Sequence, residues 1–329
     1  MIIDIYMNAT LALTSPAQSP GSSESRPGYF SWPIGPEAVE FYRENGFLAI
    51  TNALTRQELE EIHSETLRLS RNADGQVKGV DPAPPAMSDE EALKRVLCIH
   101  FPHKLSDSML RALDHPAIVD VLTQVISPNV KAMQSMLFIK AAGKPGQAWH
   151  QDEDYIPTRD RSLTGAWIAL DKATVENGCL WVIPGSHKHG ILWDQQWHGD
   201  RKFDCALESV GFPYSEKDEV PVEVGAGAIV FFNGYLLHRS LPNRARTGFR
   251  RALVNHYMSA ESFLPWRRPK DDEPFEGMAK LDFRDIVLIA GKDPYAHRGT
   301  CALSNAHVRP SGEGGCTSWN GGRKVSYNE

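Results

Sequence analysis

Hydrophobic and polar positions divide this chain into a helical first part and a second part rich in short strands. In residues 36–45 the apolar side chains fall within one arc of a helix, which Pro36 opens and Gly46 ends. The next four residues, Phe47 to Ile50, are all apolar and predict a short buried strand. The folded chain is therefore expected to start as a helix that leads directly into a strand.

A second helix is predicted from the spacing of two polar residues, Thr55 and Glu58. A threonine followed three residues later by a glutamate is typical of a capping box at a helix start. This helix is expected to run to about Arg71, and residues 72–90, which contain Gly, Pro and Asp, are expected to form a loop. A further helix is predicted over residues 116–125.

From Val130 the pattern changes to short strands separated by turns. Turn signals such as Glu176-Asn177-Gly178 and Pro184-Gly185-Ser186 stand between the apolar runs. Many short strands with such punctuation predict a sandwich or jelly roll with the early helices packed on one side. The clearest predicted strands are residues 132–140, 146–152, 163–171, 179–183, 221–223, 227–232 and 249–258.

Composition indicates where the folded part begins and ends. Residues 14–33 are rich in Ser, Pro and Gly, so residues 1–33 are expected to be a flexible leader. The chain has 329 residues, of which 41% are hydrophobic, enough for a substantial core. We expect one domain over residues 34–302 and a poorly ordered tail over residues 303–329.

Charge and cysteine content narrow the function classes. The net charge of −6 argues against a general nucleic-acid binder. The 5 cysteines include no CxxC pair, which argues against a thiolate zinc site or a disulfide framework and favours a reducing, cytoplasmic compartment. The apolar run Met1 to Leu13 is a poor secretory signal. The apolar run over residues 226–237 is too short to span a bilayer, and the last three residues are not a peroxisomal signal. The expected partner is a small-molecule substrate, not nucleic acid or membrane, and the oligomeric state stays open.

The first candidate site residues are His150 and Asp152. On a strand, residues i and i+2 point to the same side, so both side chains can reach one metal ion. Asp154 would share that face and is a rival ligand, but the shorter spacing favours Asp152. Such a triplet often occurs by chance, and the alternative is an ordinary surface pair.

His238, which follows the predicted strand 227–232 and a turn, would complete a metal site. Two imidazoles and one carboxylate can bind iron(II) on one face and leave its other positions free for substrates. Ordinary surface or hydrogen-bonded roles are the alternative for any single histidine.

Arg250 and Arg251 are adjacent on a predicted buried strand, so at most one of them faces the core. A buried arginine needs an anion, which a bound organic acid or a structural Asp or Glu would supply. Parity places Arg250 and His256 on one face of the strand. His256 therefore lines the same cavity or is a hydrogen-bonded core histidine.

Several stretches, in order along the chain, resemble the phytanoyl-CoA dioxygenase family of iron(II)- and 2-oxoglutarate-dependent oxygenases. The resemblance covers roughly residues 36–260, and joint occurrence in order is more specific than any single motif. The matching stretches are Phe41 to Phe47, Trp149 to Asp152, Gly178 to His187, His238-Arg239-Ser240 and Gly248 to Ala252.

The resemblance implies a mainly β fold with flanking helices around a double-stranded β-helix (jelly-roll, cupin-like) core. It implies iron binding by His150, Asp152 and His238. It further implies that Arg250 pairs with the distal carboxylate of 2-oxoglutarate, with Ser240 hydrogen-bonding nearby. Met136, Trp167 and Gln134 are implied as weaker contacts of the cosubstrate, and ordinary core packing is the alternative for each. The resemblance also implies a further basic residue in the site, for which Arg95 and His100 are candidates. The alternative for these two residues is a role at the surface.

The activity implied by the resemblance is hydroxylation of a C–H bond in a small organic molecule, with iron(II) as cofactor, 2-oxoglutarate and dioxygen as cosubstrates, and release of succinate and CO2. Halogenating relatives carry a small residue in place of the acidic ligand, so Asp152 favours hydroxylation. A zinc-dependent hydrolase and a non-catalytic jelly-roll binding protein remain alternatives. An acyl-CoA, an amino-acid derivative and a secondary metabolite all stay open as substrates. Residues 72–104 and 261–275 are expected to form a lid over the substrate, an expectation that rests only on their position in the chain.

Overall fold

Helices precede most of the strands, as the sequence pattern predicts. The computed structural model describes residues 26–204, 206–262, 282–283, 287–301 and 305–309. The α-helices are α1 (Pro36–Asn45), α2 (Arg56–Arg71), α3 (Asp89–Lys94), α4 (Asp107–Arg111), α5 (Pro116–Val125) and α6 (Asp152–Tyr155). Short 3-10 turns cover Pro102–Lys104, Glu216–Asp218 and Ala296–Arg298. Among the described residues, none of the helices has the length and apolar character needed to cross a membrane.

Strands make up most of the second part of the chain. They are β1 (Tyr29–Ser31), β2 (Phe47–Thr51), β3 (Cys98–His100), β4 (Val130–Ala141), β5 (Gln147–His150), β6 (Thr164–Ala169), β7 (Leu180–Val182), β8 (Gln195–Gln196), β9 (Glu208–Ser209), β10 (Val220–Val222), β11 (Ile229–Asn233), β12 (His238–Ser240), β13 (Phe249–Ser259), β14 (Asp282–Phe283), β15 (Val287–Ala290), β16 (Thr300–Cys301) and β17 (His307–Arg309).

Two sheets form the body of the fold. The major sheet has the order β1-β2-β11-β6-β13-β4-β3-β17, with β15 also paired to β4, and the minor sheet has the order β10-β7-β12-β5. An apolar layer lies between them, in which Trp167 and Phe232 of the major sheet meet Leu180 and Val182 of the minor sheet. The non-consecutive strand order and the shared apolar layer confirm the predicted jelly roll.

The opposite face of the major sheet packs against the helices. Side chains such as Ile168 and Phe231 alternate with those of the inner layer and belong to the same apolar cluster as Ile62 of α2 and Ile118 of α5. The molecule therefore has three layers, with helices on one side of the major sheet and the minor sheet on the other, as the sequence predicts.

Local signals located the early helices well. The bounds of α1 and α5 agree with the predicted ones. The capping box at the start of α2 is present: the Thr55 hydroxyl accepts a hydrogen bond from the Glu58 amide at 3.3 Å, and the Glu58 carboxylate accepts one from the Thr55 amide at 2.7 Å. The helix ends at Arg71, because the next residue, Asn72, has a left-handed φ of 47°.

Other elements differ from the sequence-based expectation. β1, inside the segment expected to be a leader, pairs with β2, and β17, inside the expected tail, pairs with β3. These pairings stabilise both segments through contacts with distant strands, which local composition does not reveal. Residues 1–25, most of the expected lid over 261–275 and residues 310–329 lie outside the described residues.

Candidate active site

Sheet pairing brings two histidines side by side. β5 and β12 are antiparallel neighbours in the minor sheet, and His238 pairs directly with His150. Their ring centroids lie 4.0 Å apart, and both side chains are buried. The register of one strand pair therefore places two imidazoles at one point of the inner face.

Asp152 joins the histidines from a short helix and not from the strand predicted over 146–152. β5 ends at His150, Gln151 is extended with φ −128°, and Asp152 is the first residue of α6. Its Oδ1 lies 3.5 Å from His150 Nε2 and 3.6 Å from His238 Nε2. The turn of the backbone into α6, and not strand parity, directs this carboxylate to the imidazoles.

The three side chains have the spacing of a metal site. One ligand atom from each of His150, Asp152 and His238 lies within 4.8 Å of the others, and no other group of His, Cys, Asp or Glu meets this criterion in the described part of the chain. Asp154, the rival ligand, is exposed and stands outside this group.

Backbone hydrogen bonds determine which imidazole nitrogen faces the carboxylate. His150 Nδ1 lies 2.8 Å from the carbonyl oxygen of Ala148, and His238 Nδ1 lies 2.9 Å from that of Leu236. Because a carbonyl only accepts, each Nδ1 carries a proton, and in the neutral ring Nε2 keeps a free lone pair. Two such nitrogens and a carboxylate fit the donor set of a non-haem iron ion.

The second oxygen of Asp152 is held by another histidine. His256, buried on β13, donates a hydrogen bond from Nε2 to Asp152 Oδ2 over 2.8 Å. Burial would raise the pKa of Asp152, but the imidazoles of His238, His256 and His150 outweigh it and lower this pKa. The carboxylate is therefore ionised, with Oδ2 occupied by His256 and Oδ1 facing the two other imidazoles.

The two adjacent arginines of β13 have different environments. Arg251 forms a bidentate ion pair with Asp171, with N–O distances of 2.8 and 2.7 Å. Arg250 is only 3% exposed, lies over the ring of Trp167 at 5.3 Å and has no Asp or Glu of the described residues within ion-pair distance. Burial lowers the pKa of Arg250 to about 10, so the guanidinium remains charged at neutral pH. The inward arginine is thus a buried cation that lacks a protein carboxylate.

One pocket connects these groups. Met136, Trp167, Ser240 and Arg250 line it together with the three clustered residues and His256. Gln134, which pairs with His256 across β4 and β13, does not line this pocket. Its amide instead donates to the sulfur of Met136 at 3.2 Å.

Neither Arg95 nor His100, the two candidates for a further basic residue, lines the pocket. Arg95 donates to the carbonyl of Asp81 at 2.6 Å, and His100 stacks on His307 with ring centroids 4.9 Å apart. The sequence reasoning missed two buried charged residues that do line it, Lys140 and Asp204. Lys140 lies four residues after Met136 on β4, so both side chains point to the same face of the strand. This alternation would have indicated that Lys140 faces the pocket.

A jelly roll with this donor set beside a buried cationic pocket defines the class, a non-haem iron, 2-oxoglutarate-dependent dioxygenase. Residues 42–252 match phytanoyl-CoA dioxygenase (PhyH), and the chain belongs to that family. Iron, 2-oxoglutarate and dioxygen are accordingly its cofactor and cosubstrates, and His150, Asp152 and His238 can bind the iron.

Relatives from distant organisms share the matched region. The peroxisomal phytanoyl-CoA dioxygenase of Rattus norvegicus is 30% identical over 247 residues, which cover 68% of each chain. A probable phytanoyl-CoA dioxygenase of Caenorhabditis elegans is 29% identical over 68% of this chain and 75% of its own length. A phytanoyl-CoA dioxygenase of Arabidopsis thaliana is 39% identical over 117 residues, and that match spans only 38% of its length.

Solved structures share the fold at lower identity. The non-haem monooxygenase ThoJ superposes with a TM-score of 0.59 at 24% identity, covering 78% of this chain and 84% of its own. EctD from S. alaskensis, solved with 2-oxoglutarate and 5-hydroxyectoine, gives a TM-score of 0.55 at 19% identity, covering 74% and 83%. At these identities the likeness establishes the fold.

Proposed function

We propose that this protein hydroxylates a C–H bond of a small organic molecule while converting 2-oxoglutarate and dioxygen to succinate and CO2. The observation that carries the proposal is the proximity, in one pocket, of the His150–Asp152–His238 cluster and Arg250, a buried cation without a described carboxylate partner. A zinc hydrolase would use the cluster but would have no role for this arginine.

In this proposal the cluster would hold iron(II) through His150 Nε2, His238 Nε2 and one oxygen of Asp152. The bound iron supplies the activation of dioxygen and the oxidising power for the C–H bond. The task of the three side chains is to hold the ion on one face and leave its other positions to 2-oxoglutarate and dioxygen.

His256 positions the acidic ligand. Its hydrogen bond to Asp152 Oδ2 directs Oδ1 towards the two imidazoles and favours binding through that single oxygen. A carboxylate bound through one oxygen would leave more positions of the metal to the cosubstrates than one bound through both.

Arg250 orients the cosubstrate. Its planar fork can pair with both oxygens of the distal carboxylate of 2-oxoglutarate, while the ring of Trp167 supports the guanidinium from one side. Met136, Leu180 and Val254 give the same pocket apolar walls, which exclude water from the reacting centre.

The proposal is tested with protein purified without oxygen and loaded with iron(II). Titration with 2-oxoglutarate should produce a weak visible charge-transfer band, and supply of oxygen with a panel of acyl-CoAs, amino-acid derivatives and secondary metabolites should release succinate and a hydroxylated product. Zinc-loaded protein is the control and should give neither signal. Absence of the band, together with hydrolysis of a panel compound by the zinc form, would reject the proposal.

Localisation is a separate prediction. The cysteine pattern favours the cytoplasm, whereas the Rattus norvegicus relative is a peroxisomal protein by name. Fractionation of cells that express the untagged full chain, with cytoplasmic and peroxisomal marker proteins, distinguishes the two compartments.

A further inference from the structure

Lys140 lies beside Arg250 in the pocket. The two residues are directly paired across β4 and β13, so their side chains leave the sheet on the same face. Each is 3% exposed, and both line the pocket that contains the metal cluster. Two cations thus occupy adjacent buried positions, an arrangement that is costly unless an anion compensates for it.

The hydrogen-bond partners of the Lys140 ammonium are neutral. Its Nζ donates to the Ser240 hydroxyl oxygen at 2.9 Å and to the Leu241 carbonyl at 2.7 Å. No carboxylate of the described residues, including Asp204 in the same pocket, lies within ion-pair distance of it. Burial and the neighbouring guanidinium of Arg250 lower the pKa of Lys140 by more than the Asp204 carboxylate raises it, and a bound anion would add to the effect of Asp204.

The hydrogen bond from Lys140 leaves the proton of the Ser240 hydroxyl available to another acceptor. Because the hydroxyl oxygen accepts from the ammonium, its own proton points elsewhere and is available to a further acceptor. Ser240 also lines the pocket, so the hydroxyl, the remaining N–H of Lys140 and the fork of Arg250 are donors around one space. A carboxylate, with about four lone-pair sites, can accept from all three.

We propose that Lys140 is a specificity-determining residue of the cosubstrate site, which binds the distal carboxylate of a dicarboxylic 2-oxo acid jointly with Arg250 and orients the Ser240 hydroxyl towards it. This inference rests on the proposed function, since it assigns a further residue to the same site. It predicts that Lys140 contributes to the binding of 2-oxoglutarate but not to that of a 2-oxo acid without the second carboxylate.

The test compares dissociation constants of 2-oxoglutarate and 2-oxobutyrate, measured by calorimetry on protein loaded with Mn(II) in place of iron so that binding is measured without turnover. Lys140→Met keeps most of the length of the side chain and removes the charge and the hydrogen bonds. We expect the Kd for 2-oxoglutarate to rise at least about tenfold, and the Kd for 2-oxobutyrate to change less than about twofold. Lys140→Arg should recover part of the lost affinity, because it restores a cation.

Lys131→Met is the matched control. Lys131 is a fully buried lysine of the same strand, 3.7 Å from Asp293 and outside the pocket, so its loss should leave both Kd values unchanged. Thermal unfolding establishes that each variant is folded. Lys140→Gln, which keeps N–H donors without the charge, replaces Lys140→Met if the latter does not fold.

The outcomes separate this inference from the proposed function. If the wild type binds 2-oxoglutarate and the folded Lys140→Met or Lys140→Gln variant binds it with the same Kd, the inference is overturned but the proposed function is not. Equal weakening for 2-oxoglutarate and 2-oxobutyrate would overturn the assignment to the distal carboxylate. No binding of 2-oxoglutarate by the wild type would overturn the proposed function and this inference together.

Discussion

His238 lies directly opposite His150 across two antiparallel strands, and their rings are 4.0 Å apart. This relationship depends on the pairing of β5 with β12, so the position of both imidazoles follows from the register of the minor sheet. Asp152 is added from the first residue of α6, and only its orientation depends on a further contact, the hydrogen bond from His256.

Replacing Asp152 should remove the charged member of the cluster. In Asp152→Ala the two imidazoles remain without a carboxylate. Loss of a residue that hydrogen-bonds to a metal ligand typically lowers metal affinity about 10- to 100-fold, and we expect the loss of Asp152 to lower iron(II) affinity by more than this. Competition with a chromophoric chelator under anaerobic conditions measures this. Asp154→Ala is the control, since Asp154 is exposed, and equal losses in both variants would reject Asp152 as the ligand.

Replacing Arg250 should weaken cosubstrate binding selectively. Charged hydrogen bonds contribute ~1.5–3 kcal/mol, so Arg250→Ala should raise the Kd for 2-oxoglutarate about 10- to 100-fold. Arg251→Ala should instead lower the free energy of unfolding by up to ~1 kcal/mol, because it breaks the partly exposed pair with Asp171, and leave this Kd unchanged. Calorimetry and urea unfolding of both variants measure the two effects, and equal changes in Kd would contradict the different assignments.

Variants of His256 should separate hydrogen bonding from packing. His256→Phe fills the space but cannot donate to Asp152 Oδ2, and iron(II) affinity should fall about 10- to 100-fold. His256→Gln retains an N–H donor and should recover part of that affinity. If both variants bound the metal as tightly as the wild type, His256 would have only a packing role.

Cys179 should be unreactive in the folded protein. The side chain is fully buried on the inner side of the fold, and burial raises the pKa of its thiol to about 12, so almost no thiolate exists at pH 8. Iodoacetamide at pH 8 should leave the peptide containing Cys179 unmodified in native protein and modify it in urea, as mass spectrometry would reveal. Rapid modification of native protein would contradict this burial.

Local sequence was sufficient for elements whose signals are short-range. The proline at the start of α1, the glycine after it and the capping box of α2 all act within one helical turn, and the corresponding predictions agree with the structure. Period-two alternation likewise predicted that Arg250 and Arg251 face opposite ways.

Parity predicted the proximity of Asp152 to His150 by an incorrect route. The strand predicted over 146–152 would have directed His150 and Asp152 to one side, whereas the strand ends at His150 and a helix begins at Asp152. The same reasoning overlooked Lys140, although it shares the parity of Met136, because a lysine on a strand is usually at the surface.

Hydrophobic period and capping signals act over a few residues, so they are enough to predict the layered β architecture, the local helices and the residue types of the site. The identity of neighbouring strands, in contrast, follows from the folded structure. This pairing depends on contacts between residues far apart in the chain, and it places His238 against His150, Lys140 against Arg250, and His256 against the carboxylate of Asp152.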